Sequence, residues 1–279
     1  MPTIRHLALV KESRRVDAAD LTRVAAALQK QVLDDFVPVW RRPATVDSFL
    51  RLEDVPLDYW PMIVRDDIPY DAQGIHLDNQ WGPYSLILWD AGWSLTACHE
   101  CLEMLADPYG RRLRKSASPK AGQGEVQFLV EVCDPCEADR YAYAVNRVVV
   151  SDFYTSQYFV APAATGSRYS YTGSVRRPRQ VLPGGYLSWR VPSTGQWWQQ
   201  RYFGTTPQIV NLGAMPKDGN PRAFTDQLVK IPRKFMRASR ALRAIAPRGR
   251  AAAAAKPPGT LTDRAKALRA NVREIAGVG

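Results

Sequence analysis

The segment Thr96-Ala97-Cys98-His99-Glu100-Cys101-Leu102-Glu103-Met104-Leu105-Ala106-Asp107-Pro108 constrains this chain more than any other. It has no glycine, no proline before Pro108 and no β-branched residue after Thr96, so a helix is expected from about Ser94 to Ala106. Pro108 and Gly110 end it, because a residue preceding proline avoids the α conformation. On a helical wheel, Glu103, Asp107 and Glu100 fall within about 100° of His99. Cys98, Cys101, Leu102 and Leu105 fall on the other side. One face is therefore acidic with a histidine, and the opposite face is apolar with two thiols. No lysine or arginine follows until Arg111, and apolar strands come before, so burial is expected. A buried histidine beside several carboxylates needs a partner or a metal ion.

His99-Glu100-x-x-Glu103 differs by one residue type from the His-Glu-x-x-His of zinc peptidases. His99 and Glu103, one turn apart, can reach one ion, and Glu100 can act as general base on a metal-bound water. A third ligand is needed. Asp107 lies two turns from His99, about 12 Å along a straight helix. It reaches the ion only if the helix ends near Glu103 and the chain bends at Asp107-Pro108. Glu131, Asp134 and Glu137 in Glu131-Val132-Cys133-Asp134-Pro135-Cys136-Glu137 are the rival sources, and His76 is a fourth. His76 reads equally well as a satisfied strand histidine.

A second metal reading uses the thiols. Cys98, Cys101, Cys133 and Cys136 form C-x2-C-x31-C-x2-C, a spacing open to a structural zinc. The first pair sits mid-helix rather than in a turn, so buried thiols without metal are preferred. A redox pair is weaker still, because such pairs belong at a helix N-terminus.

The 279 residues allow one large domain or two small ones, and 46% hydrophobic with 23% charged residues is ordinary for a soluble globular chain. No run approaches the ~20 apolar residues of a membrane span. The N-terminus lacks the apolar core of a signal peptide, so a cytoplasmic, reducing setting with free thiols is expected. The net charge of +11 sits entirely in residues 230–279, which hold 13 Lys/Arg and 2 Asp/Glu. Such a tail can bind nucleic acid or an anionic surface. Its one aromatic residue, Phe235, gives little for stacking bases, which favours a solvated extension.

Along the chain, residues 4–10 read as a strand, and Asp17 caps a helix running to about Asp35. Pro38 and Pro43 mark a loop. Strands are expected at 45–52, 60–64, 74–77 and 84–89, the last two joined by 78–83. Residues 111–124 read as a basic loop, 126–132, 148–153 and 157–160 as strands, and 161–213 as irregular and short-stranded. Residues 222–246 and 260–276 read as helical.

Thr96-x-x-His99-Glu100-x-x-Glu103-Met104-x-x-Asp107-Pro108 resembles the Ser-His-Glu-x-x-Glu-x-x-x-Asp-Pro segment of zincin-like metallopeptidases of bacteria and phages. Glu131-Val132-Cys133-Asp134-Pro135 and Val150-Ser151-Asp152-Phe153 are similar to that family's downstream pattern, over roughly residues 20–215. Cys98 stands where serine is usual, and Cys136 is a further departure. Neither change removes a proposed ligand. The resemblance implies an α+β, zincin-like fold with a twisted mixed sheet over an active-site helix, then an irregular β-rich part. It implies a domain over 1–215, with 216–279 as a basic tail, helical or disordered. It implies zinc held by His99, Glu103 and a carboxylate among Asp107, Glu131 and Asp134, with Glu100 as base. The substrate would be a peptide or protein added along the edge strand Gly74-Ile75-His76. The alternatives are a non-catalytic phage or mobile-element protein whose tail docks nucleic acid or a virion partner, and a structural four-cysteine zinc protein.

Overall fold

In β1 (Arg5–Lys11), Leu7 to Val10 are all fully buried. Continuous burial rather than alternation marks a strand covered on both faces. In the computed structural model, which describes residues 3–163, 165–232 and 262–275, β1 lies inside a five-stranded sheet. Helix α1 (Ala18–Gln31) follows, its first turn capped by the Asp17 carboxylate accepting from Asp20 N at 2.6 Å. The helical path continues through a π-helical stretch at Val32–Phe36 and the short α2 (Val37–Trp40). Pro38, expected in a loop, instead lies in the first turn of α2. Arg41 then closes the helix in a left-handed conformation.

β2 (Ala44–Phe49) and β3 (Tyr59–Arg65) flank β1, both parallel to it. A hairpin of β4 (Gly74–Asn79) and β5 (Gly82–Leu88) adds β5 parallel to β3 and β4 antiparallel at the edge. The order is β2-β1-β3-β5-β4. Helix α3 (Trp93–Ala106) follows β5, within a residue of its expected bounds.

The described residues fall into two compact units. Unit 1 is drawn from Met1–Leu105, Ala144–Val150 and Ala238–Gly279, and unit 2 from Ala106–Tyr143 and Ser151–Arg237. In unit 2, β6 (Leu113–Ala117) and β7 (Glu125–Leu129) form a hairpin. Residues 111–124 were expected to be a loop, and only the Gly-rich stretch around Gly122 and Gly124, both at positive φ, is one. Pairing with β7 overrides the low strand propensity of Arg114 and Lys115, and exposed charge suits an edge strand. The expected strand at 157–160 is a pair of turns, with Thr155 O and Gln157 O accepting from Tyr158 N and Val160 N. This path stacks Tyr154 on Tyr158, with ring centroids 4.3 Å apart.

The hairpin of β8 (Tyr143–Val145) and β9 (Val148–Val150) turns at Asn146 and Arg147, both at positive φ. β10 (Tyr186–Arg190), β11 (Gln196–Arg201) and β12 (Gln208–Ala214) complete an antiparallel sheet of order β12-β11-β10-β7-β6. This is more regular than the expected irregular region. α4 (Pro221–Gln227) is capped by the Asn220 side chain, which accepts from Ala223 N at 3.2 Å. Of the helix expected at 222–246, residues 233–246 lie outside the described residues.

α5 (Thr262–Ile275) belongs to unit 1. Its Ala265, Leu268 and Val272 are buried in one cluster with Ala8, Val10, Ile63, Ile75, Tyr84 and Leu86 of the sheet. Arg264 donates to Pro56 O at 2.6 Å and to Tyr59 O, and Arg269 pairs with Glu12 at 2.6 Å and with Glu53. Side chains alternate across a strand, so β4 turns Ile75 and Leu77 toward α5, and Gly74 and His76 to the opposite face. With sheets and few helices, the fold is mixed α and β, consistent with the α+β class. No helix among the described residues is long and apolar enough to cross a membrane.

Candidate metal centre

Between β5 and α3, the Asp90 carboxylate accepts from Gly92 N at 2.7 Å and from Gln73 Nε2 at 2.8 Å. These bonds fix the turn from which α3 starts. The expected apolar face is present, with Cys98, Cys101 and Leu102 fully buried and Leu105 nearly so. Cys98 Sγ donates to Gln31 Oε1 at 2.7 Å, tying α3 to the end of α1. Burial, then the neighbouring Cys98, push the Cys101 thiol well above its usual range.

On the opposite face the carboxylates are buried, whereas His99 is partly exposed. Glu100 is 4% exposed and Glu103 3%. His99 Nε2 lies 3.4 Å from Glu103 Oε2, one turn along the helix. Glu100 makes a different pair, with its Oε2 3.3 Å from Nδ1 of the buried His76 on β4. Gly74 comes closer still to Glu100. A Cβ there would fall 2.5 Å from Glu100 Oε1 and 2.6 Å from Thr96 Cγ2, so only glycine admits this approach.

In unit 2, residues Val130 to Cys136 are buried throughout. Tyr154 N donates to Val132 O at 2.7 Å and Leu182 N to Pro135 O at 2.9 Å. Gly185 packs so closely on the carbonyls of Asp134 and Pro135 that a Cβ would overlap Asp134 O. The turn carrying Glu131 and Asp134 is therefore clamped along its backbone. Arg222, 2% exposed, donates Nε to Glu131 Oε1 at 2.7 Å and Nη2 to Glu131 Oε2. Its Nη1 donates to Asp107 O at 3.2 Å. The Asp107 carboxylate accepts from Arg112 N at 2.7 Å, and Arg112 Nη1 donates to Ala106 O at 2.9 Å. Asp107 thus closes the end of α3. Sequence reasoning missed Arg222. One arginine among 38 basic residues carries no local mark of burial.

Buried His, Glu and Cys residues of this chain could hold a metal ion. The candidate groups among the described residues are His99, Glu103 and Cys133; His99, Asp134 and Glu137; and Glu103, Glu131 and Asp134. His99, Glu103 and Asp134 each appear in two of them. Imidazole nitrogen and carboxylate oxygen suit zinc and other first-row divalent ions. Asp107 and His76, both weighed as third ligands, fall in none of these groups. Nor does any group contain more than one cysteine, so the four-cysteine arrangement is not among them. No protein-family model, no curated protein and no solved structure matches the chain.

Proposed function

We propose that this chain is a zincin-like, zinc-dependent hydrolase of peptide bonds, with His99 and Glu103 as metal ligands and Glu100 as general base. The observation that carries it is the pairing of His99 with Glu103, one turn apart on a buried helix that also holds Glu100. When bound, a divalent ion supplies Lewis acidity, making water more acidic and a carbonyl more electrophilic. Glu100 accepts the proton of the attacking water and returns it to the departing amine, so its carboxylate is unchanged over a cycle.

The order strand, helix, strands, then a helix with metal-type residues supports the zincin-like reading, and so does the place of β4. β4 ends the sheet, with β5 as its neighbour in the sheet order. An extended peptide can add along Gly74-Ile75-His76 by main-chain hydrogen bonds. The nucleic-acid alternative gains little from α5, whose Arg264 and Arg269 contact unit 1 itself.

The test is hydrolysis of unstructured fluorogenic peptides by wild-type protein and by Glu100→Gln. The wild type is expected to cleave, and Glu100→Gln to lose cleavage while keeping its metal. Cleavage that survives Glu100→Gln contradicts the assignment of the base, and an inactive wild type contradicts the hydrolase.

A further inference from the structure

We infer that His76 is a positioning residue that fixes the Glu100 carboxylate from the edge strand, with Gly74 as the second half of the clamp. The inference rests on the hydrolase reading and adds to it a residue outside the ligand and base set.

A glutamate has three side-chain torsions, and a general base must hold its oxygen within hydrogen-bond reach of the proton it takes. On α3 the backbone alone cannot supply that precision. β4 supplies it from two positions. At Gly74 the bare backbone lies against the side chain, leaving no room for a methyl group beside Oε1. Two residues on, and therefore on the same face of the strand, His76 Nδ1–H donates to Oε2 across 3.3 Å. His76 is 3% exposed and Glu100 4%, so the contact is shielded from competing water. The register of β4 is fixed by its ladder to β5, where Gly74 faces Ile87 and His76 faces Ser85. The strand proposed to receive the peptide is thus also the strand that orients the base. Bringing both to one rigid element sets the distance between the peptide backbone and Glu100.

The test measures kcat, KM and metal content of the full chain carrying His76→Ala, His76→Asn or Gly74→Ala. Loss of an outer partner of this kind costs about 10- to 100-fold. His76→Ala is expected to lower kcat by that factor, with KM within about threefold and metal at the wild-type level. His76→Asn is expected to recover most of kcat, because the asparagine amide nitrogen can occupy the place of Nδ1. Gly74→Ala is expected to lower kcat with metal retained, by displacing Glu100. An active wild type whose His76→Ala variant keeps its kcat overturns the inference and leaves the hydrolase standing. Loss of metal in His76→Ala that His76→Asn does not restore also overturns it, by making His76 a ligand or a packing residue. Absence of Glu100-dependent cleavage in the wild type overturns the hydrolase, and the inference falls with it.

Discussion

The two units handle buried carboxylates differently. On α3 in unit 1, Glu100 and Glu103 each face an imidazole, from His76 and His99. In unit 2, Glu131 faces the guanidinium of Arg222 through two hydrogen bonds. A guanidinium is always charged, matches a carboxylate bidentately and cannot ligate a metal. An imidazole can be neutral, and its free nitrogen is the commonest protein metal ligand. The contrast separates a carboxylate fixed as structure from carboxylates suited to chemistry, although all three are similarly buried. Burial of an acidic side chain is therefore a poor guide to its role, and the identity of its partner is a better one.

The largest expected effect lies on the imidazole side. Glu100→Gln should lower kcat by about 10²- to 10⁴-fold, the usual worth of a general base, with little change in the denaturation midpoint. Unchanged kcat places Glu100 with Glu131 as a structural group. On the guanidinium side the effect should be on stability. Arg222→Met leaves Glu131 buried without its partner and should cost about 3–5 kcal/mol in chemical denaturation. Arg222→Met with Glu131→Met should recover most of it, because an apolar pair of similar volume is tolerated. A small loss in the single variant would mean that the Arg222–Glu131 pair is not a structural support of unit 2.

Much of unit 1 was legible in the sequence because its signals are local. Leu21, Val24 and Leu28 recur at helical spacing after the Asp17 cap, β1 reads as an apolar run, and α3 ends where Asp107-Pro108 says it must. His99, Glu100 and Glu103 stand out because four residues of spacing bring two of them to one face. Unit 2 was less legible. β6 carries Arg114 and Lys115 on an exposed edge, and only its pairing with β7 makes it a strand. The Arg222–Glu131 pair joins residues 91 positions apart, and the Asp107–Arg112 contact depends on how the chain leaves α3. The His76–Glu100 pair, 24 positions apart, needed the β4 register. Partners supplied by tertiary structure have no spacing to betray them.

A smaller effect tests whether α5 belongs to the same cooperative unit as the sheet it covers. Leu268→Ala should cost about 2–4 kcal/mol, the range for a buried leucine truncated in a core. A cost near zero would separate α5 from that core. The smallest effect concerns its rim. The Arg269 guanidinium holds the Glu53 carboxyl below the usual carboxylate range. A depressed carboxyl contributes stability at pH above its unfolded value and loses it as pH falls through the folded value. Protection of α5 amides from hydrogen exchange, corrected for intrinsic rates, should therefore decline on acidification into that range. Arg269→Gln should flatten the decline, and an equal decline in the variant would assign it to another carboxylate.

The central claim is that the His99–Glu103 pair on α3, rather than the thiols, takes a metal ion. Elemental analysis of the full chain purified without chelators, beside His99→Ala and Cys133→Ser, measures it most directly. About one equivalent of zinc is expected in the wild type and in Cys133→Ser, with none retained in His99→Ala. A metal-free wild type, or metal that survives His99→Ala and leaves with Cys133→Ser, contradicts it.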